Sequence, residues 1–166
     1  MIWGMTTPTF TALHVVLSLI GIVTGLIVLY GLLTAKRLDG WTAIFLLTTV
    51  LTSVTAFGFP FDHLLPSHKV GIISLVLLAI AILARYALHL AGAWRWIYVV
   101  CATMALYLNV FVLVVQTFEK VPALRAMAPT QSEPPFKIAQ VIVLVVFIVL
   151  GVFAVKKFHP ERAQAA

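Results

Sequence analysis

Apolar residues run almost unbroken along five stretches of this chain, roughly 9–34, 41–59, 70–92, 96–118 and 136–155, and polar residues collect in the gaps between them. Each stretch can cross a hydrocarbon layer about 30 Å thick at about 1.5 Å of rise per residue. Backbone in lipid must satisfy its own hydrogen bonds, which makes helices the natural spanning element. The pattern therefore predicts an all-α, polytopic membrane protein: one integral membrane domain over residues 1–166, folded as a five-transmembrane-helix bundle. The gaps at about 60–69 and 119–135 are read as proline-rich loops on one side, the second of them longer than a simple connector and without a helix of its own. No Lys or Arg precedes the first stretch, which also exceeds the apolar core of a signal peptide, so it is expected to be a retained helix.

Composition supports this class. The chain is 63% hydrophobic and 10% charged, whereas a soluble domain carries roughly 25% charged residues. Its net charge of +6 comes from residues near the ends of the apolar runs and not from a basic stripe interleaved with aromatics, so nucleic acid is not an expected partner. The single cysteine, Cys101, lies inside the fourth run and reads as a small buried hydrophobe; no CxxC pair exists.

The basic residues also orient the chain. With the N-terminus outside, Lys36, Arg37, Arg85, Arg95, Lys156, Lys157 and Arg162 face the cytoplasm and Lys69, Lys120, Arg125 and Lys137 the opposite side. The excess of basic residues on the first side favours that orientation, and Trp41, Trp94 and Trp96 fall at the same interface. The expected setting is a bacterial inner (cytoplasmic) membrane, with the C-terminus cytoplasmic. Arg85 and His89, four residues apart near the inner end of the third run, are expected to snorkel toward lipid phosphates.

Polar side chains within an apolar helix should turn toward the bundle interior. His14, Ser18, Gly21 and Gly25 share one face of the first helix, and Gly21 with Gly25 forms a GxxxG pair suited to close helix approach. Thr48, Thr52 and Thr55 form a stripe on the second helix; Tyr98, Ala102, Ala105, Asn109 and Gln116 form one on the fourth. Small and hydroxyl residues serve ordinary helix packing, which accounts for the Gly and Thr stripes. Their depth adds something further. In the N-out orientation His14, Ser18, Thr52, Thr55, His68, Ser74, Asn109, Gln116 and Gln140, drawn from all five helices, fall in the outer half. This predicts an outward-facing polar pocket beneath outer loops that carry Asp62, His63, Glu119, Gln131 and Glu133.

Sliding the first hairpin onto the second by 54 residues pairs His14 with His68 and Thr55 with Asn109. Two parallel-repeat hairpins plus one added helix would follow, with the two imidazoles across a shared space. Three functions fit this reading. The first is an accessory or partner- and ligand-binding bundle that needs only lipid, a membrane-protein partner or its own oligomer around it. The second is a membrane redox protein binding haem b, or a quinone, through His14 and His68; the same histidines with Asp62, His63, Glu119 or Glu133 would suit a divalent metal. The third is a small transporter, which the lack of any acidic residue inside the helices disfavours. His89 lacks an evident partner for a second haem tier, His159 falls in the tail, and no nucleophile–base–orienter set points to hydrolysis.

Overall fold

The computed structural model describes residues 1–160, so Arg162 lies outside the described residues. The chain is all-α: α1 (Thr7–Leu33), α2 (Asp39–Ala56), α3 (Pro66–Ile82, prolonged by a π-helical turn over Leu83–Ala87), α4 (Trp94–Lys120), a short α5 (Pro122–Met127) and α6 (Pro134–Lys157). All but α5 are long and apolar enough to cross a membrane. Their count and approximate positions follow the five apolar runs, consistent with a transmembrane bundle.

The boundaries differ from the sequence pattern for a physical reason. Proline stands in the first turn of α1, α3, α5 and α6. Its missing N–H costs nothing there and its fixed φ suits a helix start. Residues that looked like loop-formers are thus helix starters: α3 begins at Pro66, inside the expected loop 60–69, and α5 occupies part of the expected loop 119–135. At the other end the third run stops short of residue 92. The π-helical turn closes at Ala87, and His89, Leu90 and Gly92 take positive φ in the turn to α4. His89 therefore stands outside the helix, and no continuous rod joins it to His68.

Packing follows the chain, with α1 against α2 and α3 against α4, while α2–α3 and α1–α4 contacts close the bundle and α6 lies on α4 and α1. Its core holds Leu78, Ala81, Ala84, Tyr98, Val99 and Ala105, all fully buried. The GxxxG face is where α1 seats. A Cβ on Gly25 would stand 2.5 Å from Leu106 Cδ1 and 2.9 Å from the Phe45 ring, so only glycine lets α1 meet α2 and α4 at once. The apolar side chains that point away from the bundle are exposed, Val23 at 58% and Leu47 at 60% among them, and of the five long helices α6 buries least. Such a continuous apolar surface suits hydrocarbon rather than water.

One end of the bundle is clasped by buried charge. Arg85 is 2% exposed. Its Nη2 donates to the Asp39 carboxylate and to the Arg37 carbonyl at 3.2 Å, Nη1 donates to the Tyr98 hydroxyl at 3.4 Å, and the guanidinium lies 5.3 Å from the centre of the Tyr98 ring. The side chain thus turns inward to join α2, α3 and α4 instead of snorkelling. Arg95 does the same for α6, donating to the carbonyls of Val155 at 3.0 Å and Phe158 at 2.7 Å, which lie at the open C-terminus of that helix.

Gly25→Val should cost about 1–3 kcal/mol by overpacking, read as a lower melting temperature in detergent, whereas Gly40→Ala, whose Cβ would meet nothing within 4 Å, should leave it unchanged. Asp39→Ala leaves a buried guanidinium short of its counter-charge and should destabilise the bundle by more than Arg37→Gln does. Adding Arg85→Met to Asp39→Ala should restore part of the loss; equal melting temperatures across that series would contradict the clasp.

Candidate functional site

At the end opposite the arginine clasp, aromatic side chains pack in sequence: Trp3 on Phe10 (centroids 5.4 Å apart), Phe10 on Phe59 (5.0 Å), and Phe59 edge-on to His14 (5.3 Å). His14 lies about two turns inside α1, and its Nδ1 is 2.7 Å from Thr55 Oγ1 on α2. The Thr55 hydroxyl also donates to the Leu51 carbonyl at 2.7 Å. A hydroxyl has one proton to give. With that proton on Leu51, His14 Nδ1–H is the donor to Thr55, and the free lone pair of the ring is at Nε2.

One turn deeper, Ser18 Oγ donates to Asn109 Oδ1 at 3.0 Å and Asn109 Nδ2 donates back to the Ser18 carbonyl at 3.4 Å, joining α1 to α4. Thr48, Thr52 and Ser53 donate to carbonyls of their own helix, and Ser53 Oγ lies 3.1 Å from Ser74 Oγ of α3. The hydroxyl stripe is therefore mainly packing, as its spacing implied.

His68 is placed differently. It is the third residue of α3, and its Nδ1 accepts the Leu65 backbone N–H at 3.1 Å, satisfying a donor that would otherwise be orphaned beside the helix start. Phe61 (4.1 Å) and Phe57 (5.4 Å) flank the ring, which is 1% exposed. Its Nε2 is buried and has no hydrogen-bond partner among the described residues. Since Nδ1 accepts, the ring proton resides on Nε2.

These residues meet at two adjoining cavities. The larger, about 620 Å³, is lined by His14, Ser18, His68, Gln116, Thr117 and Lys120 among apolar side chains that include Val15, Leu19, Phe59, Leu65 and Leu113. The smaller, about 80 Å³, shares His14 and Ser18 and adds Thr52, Ser53, Ser74 and Asn109. Four helices contribute polar groups, not five. Gln140 of α6 lies apart from both cavities, its Nε2 donating to the Phe111 carbonyl on α4 at 3.3 Å. The apolar body with a few convergent polar groups is the usual form of a small-molecule site. Lys120, Phe59 and Phe61 had no signal in the sequence beyond their proximity to the loops.

The expected loop residues do not join this set as ligands. Gln116 Nε2 stands 3.5 Å from Glu119. Gln131 reaches back to the Val115 carbonyl at 3.0 Å, pinning the loop to α4, and Asp62 and His63 are exposed. No group of three or more His, Cys, Asp or Glu side chains that could hold a metal occurs among the described residues. Haem fits no better. Axial ligation through Nε2 of His68 would need that lone pair free and the proton on Nδ1, the reverse of what the Leu65 N–H imposes.

Glu133, immediately before α6, gathers the Thr130 hydroxyl at 2.7 Å and the backbone N–H groups of Thr130 and Ser132 at 3.2 and 3.1 Å. These bonds, the Thr130 hydroxyl foremost, hold its carboxyl below the usual carboxylate range. No family model matches this chain, and no characterised protein or solved structure proved similar to it.

Because the folded value at Glu133 is depressed, its contribution to the loop is complete above the ordinary carboxylate pKa of about 4.3 and is lost as pH falls through the depressed value. Protection of the Thr130 and Ser132 amides, corrected for the intrinsic pH dependence of exchange, should therefore fall on acidification. In Glu133→Gln the protection, corrected in the same way, should no longer change over that range.

Proposed function

We propose that this chain is a multi-pass protein of the bacterial inner membrane, N-terminus outside and C-terminus cytoplasmic, that holds an apolar or amphiphilic small molecule beneath its outer loops. It acts by binding, as an accessory or ligand-carrying bundle, and not by hydrolysis. One observation carries the reading: a cavity of about 620 Å³, mostly apolar, into which two helices bring His14 and His68. The orientation is supported by the basic residues Arg37, Arg85 and Arg95 gathered at the opposite end, with Lys156 and Lys157 in the last turn of α6. The hairpins α1–α2 and α3–α4 belong to this proposal as two copies of one unit, with α6 added beside them. The two histidines do not occupy equivalent positions in these hairpins: His14 lies well inside α1 and His68 in the first turn of α3.

Native mass spectrometry of the protein released from mild detergent tests the binding. The wild type should retain a co-purified apolar molecule, and Leu113→Trp, which fills the cavity from its wall, should lose it while keeping the wild-type melting temperature. Identical spectra for both proteins, or bare protein in both, would refute the reading. In a Cys101→Ala background, a membrane-impermeant maleimide applied to intact cells stripped of their outer membrane should label Ser132→Cys and spare Lys36→Cys. The opposite pattern would reverse the orientation.

A further inference from the structure

We infer that the cavity selects ligands that present a neutral carbonyl oxygen, and that His68 Nε2–H is the group that recognises it. The inference rests on the ligand-binding reading above and specifies its chemistry. Three observations bear on it. His68 Nδ1 is committed as an acceptor to the Leu65 N–H at 3.1 Å, so the imidazole carries its proton on Nε2. That Nε2 is buried and without a partner, in a ring that is 1% exposed and enclosed by Phe57 and Phe61. His68 is also a lining residue of the cavity of about 620 Å³.

An unmatched buried donor destabilises the fold that holds it, and native structures rarely keep one without use. A ligand oxygen with a lone pair removes that cost; an alkane or a second donor does not. His14 complements His68, since its Nδ1–H goes to Thr55 and leaves Nε2 as an acceptor on the same cavity. The residues lining the cavity thus include one imidazole whose remaining nitrogen is a donor and one whose remaining nitrogen is an acceptor. A molecule with an apolar body and a carbonyl, with or without a hydroxyl, is matched at both. Two sources in a membrane supply that chemistry: the acyl ester of a lipid, and a free carbonyl compound of the benzoquinone class.

The position also permits a clean test. Gln and Glu at the third helical residue can each accept the Leu65 N–H as His68 does; Gln retains N–H groups to donate, whereas Glu has none once ionised, so binding is compared at a pH high enough to ionise it. The full chain is placed in nanodiscs of ether-linked phospholipid, which lack ester carbonyls, and binding of decyl-1,4-benzoquinone and of decylbenzene is measured for wild type, His68→Gln and His68→Glu. Wild type should bind the quinone about tenfold more tightly than the hydrocarbon, and infrared difference spectra with a ¹³C-labelled carbonyl should show its stretch lowered. His68→Gln should keep most of that preference and His68→Glu should lose it, with melting temperatures within a few degrees of each other.

Equal binding of quinone and hydrocarbon by wild type would overturn the carbonyl inference and leave the apolar cavity intact as a site. Failure of wild type to bind either probe, together with the absence of a co-purified molecule, would remove the binding reading itself. Preference for the quinone in His68→Glu equal to that of wild type would also overturn the inference. Repeating the wild-type titration in ester-linked lipid separates the sources: weaker quinone binding there identifies the lipid ester as an occupant, and unchanged binding identifies the free carbonyl compound.

Discussion

A polar group enclosed by apolar side chains must find a partner of opposite hydrogen-bonding character, and that requirement organises this bundle more than any single apolar contact does. Dispersion and apolar packing let helices approach, but they do not choose which residues meet. The choice is made where Ser18 exchanges two hydrogen bonds with Asn109, where Ser53 meets Ser74, and where His14 meets Thr55. Each fixes the rotation of one helix against another. Gly21 and Gly25 make this possible sterically, because a Cβ at Gly21 would stand 3.1–3.2 Å from Thr49 Oγ1 and Asn109 Nδ2.

The same requirement divides the molecule into two ends of different character. At one end it is met by charge: Arg85 takes Asp39, the Arg37 carbonyl and the Tyr98 hydroxyl, and Arg95 caps the exposed carbonyls of α6. That end is closed by its own side chains. At the other end the buried polar contacts are between uncharged side chains such as Ser18 and Asn109, aromatic rings pack nearby, and a sizeable space is left beside His14 and His68. The proposed ligand chemistry is the consequence of one helix start: by spending Nδ1 on the Leu65 N–H, α3 leaves His68 a buried donor beside a mostly apolar chamber.

The helix α6 stands outside this division. It is the most apolar of the five long helices and the least buried, and it holds on through α4, α1 and the arginine clasp. Gln140 sits on it with one bond, to Phe111, and a buried Oε1 left over. Its polar group therefore serves the α4–α6 contact and adds nothing to the cavity.

Much of this was legible in the order of residues. Hydropathy alone determined five apolar helices, because run length against hydrocarbon thickness is a local property, and the 3.6-residue period placed His14, Ser18 and Gly25 on one face and Asn109 on an inward stripe. What periodicity could not give was the partner. Arg85 reads equally as a snorkelling residue or a buried one until Asp39, 46 residues away in the chain, is brought against it. His68 looks like a haem ligand or a wet loop residue until Pro66 starts a helix and the Leu65 N–H selects its tautomer. Gln140 shares the depth of the pocket residues but not their direction. Sequence fixes what each side chain can donate or accept; only the fold, by setting distance and direction between remote segments, decides which of those capacities are used and which is left for a ligand.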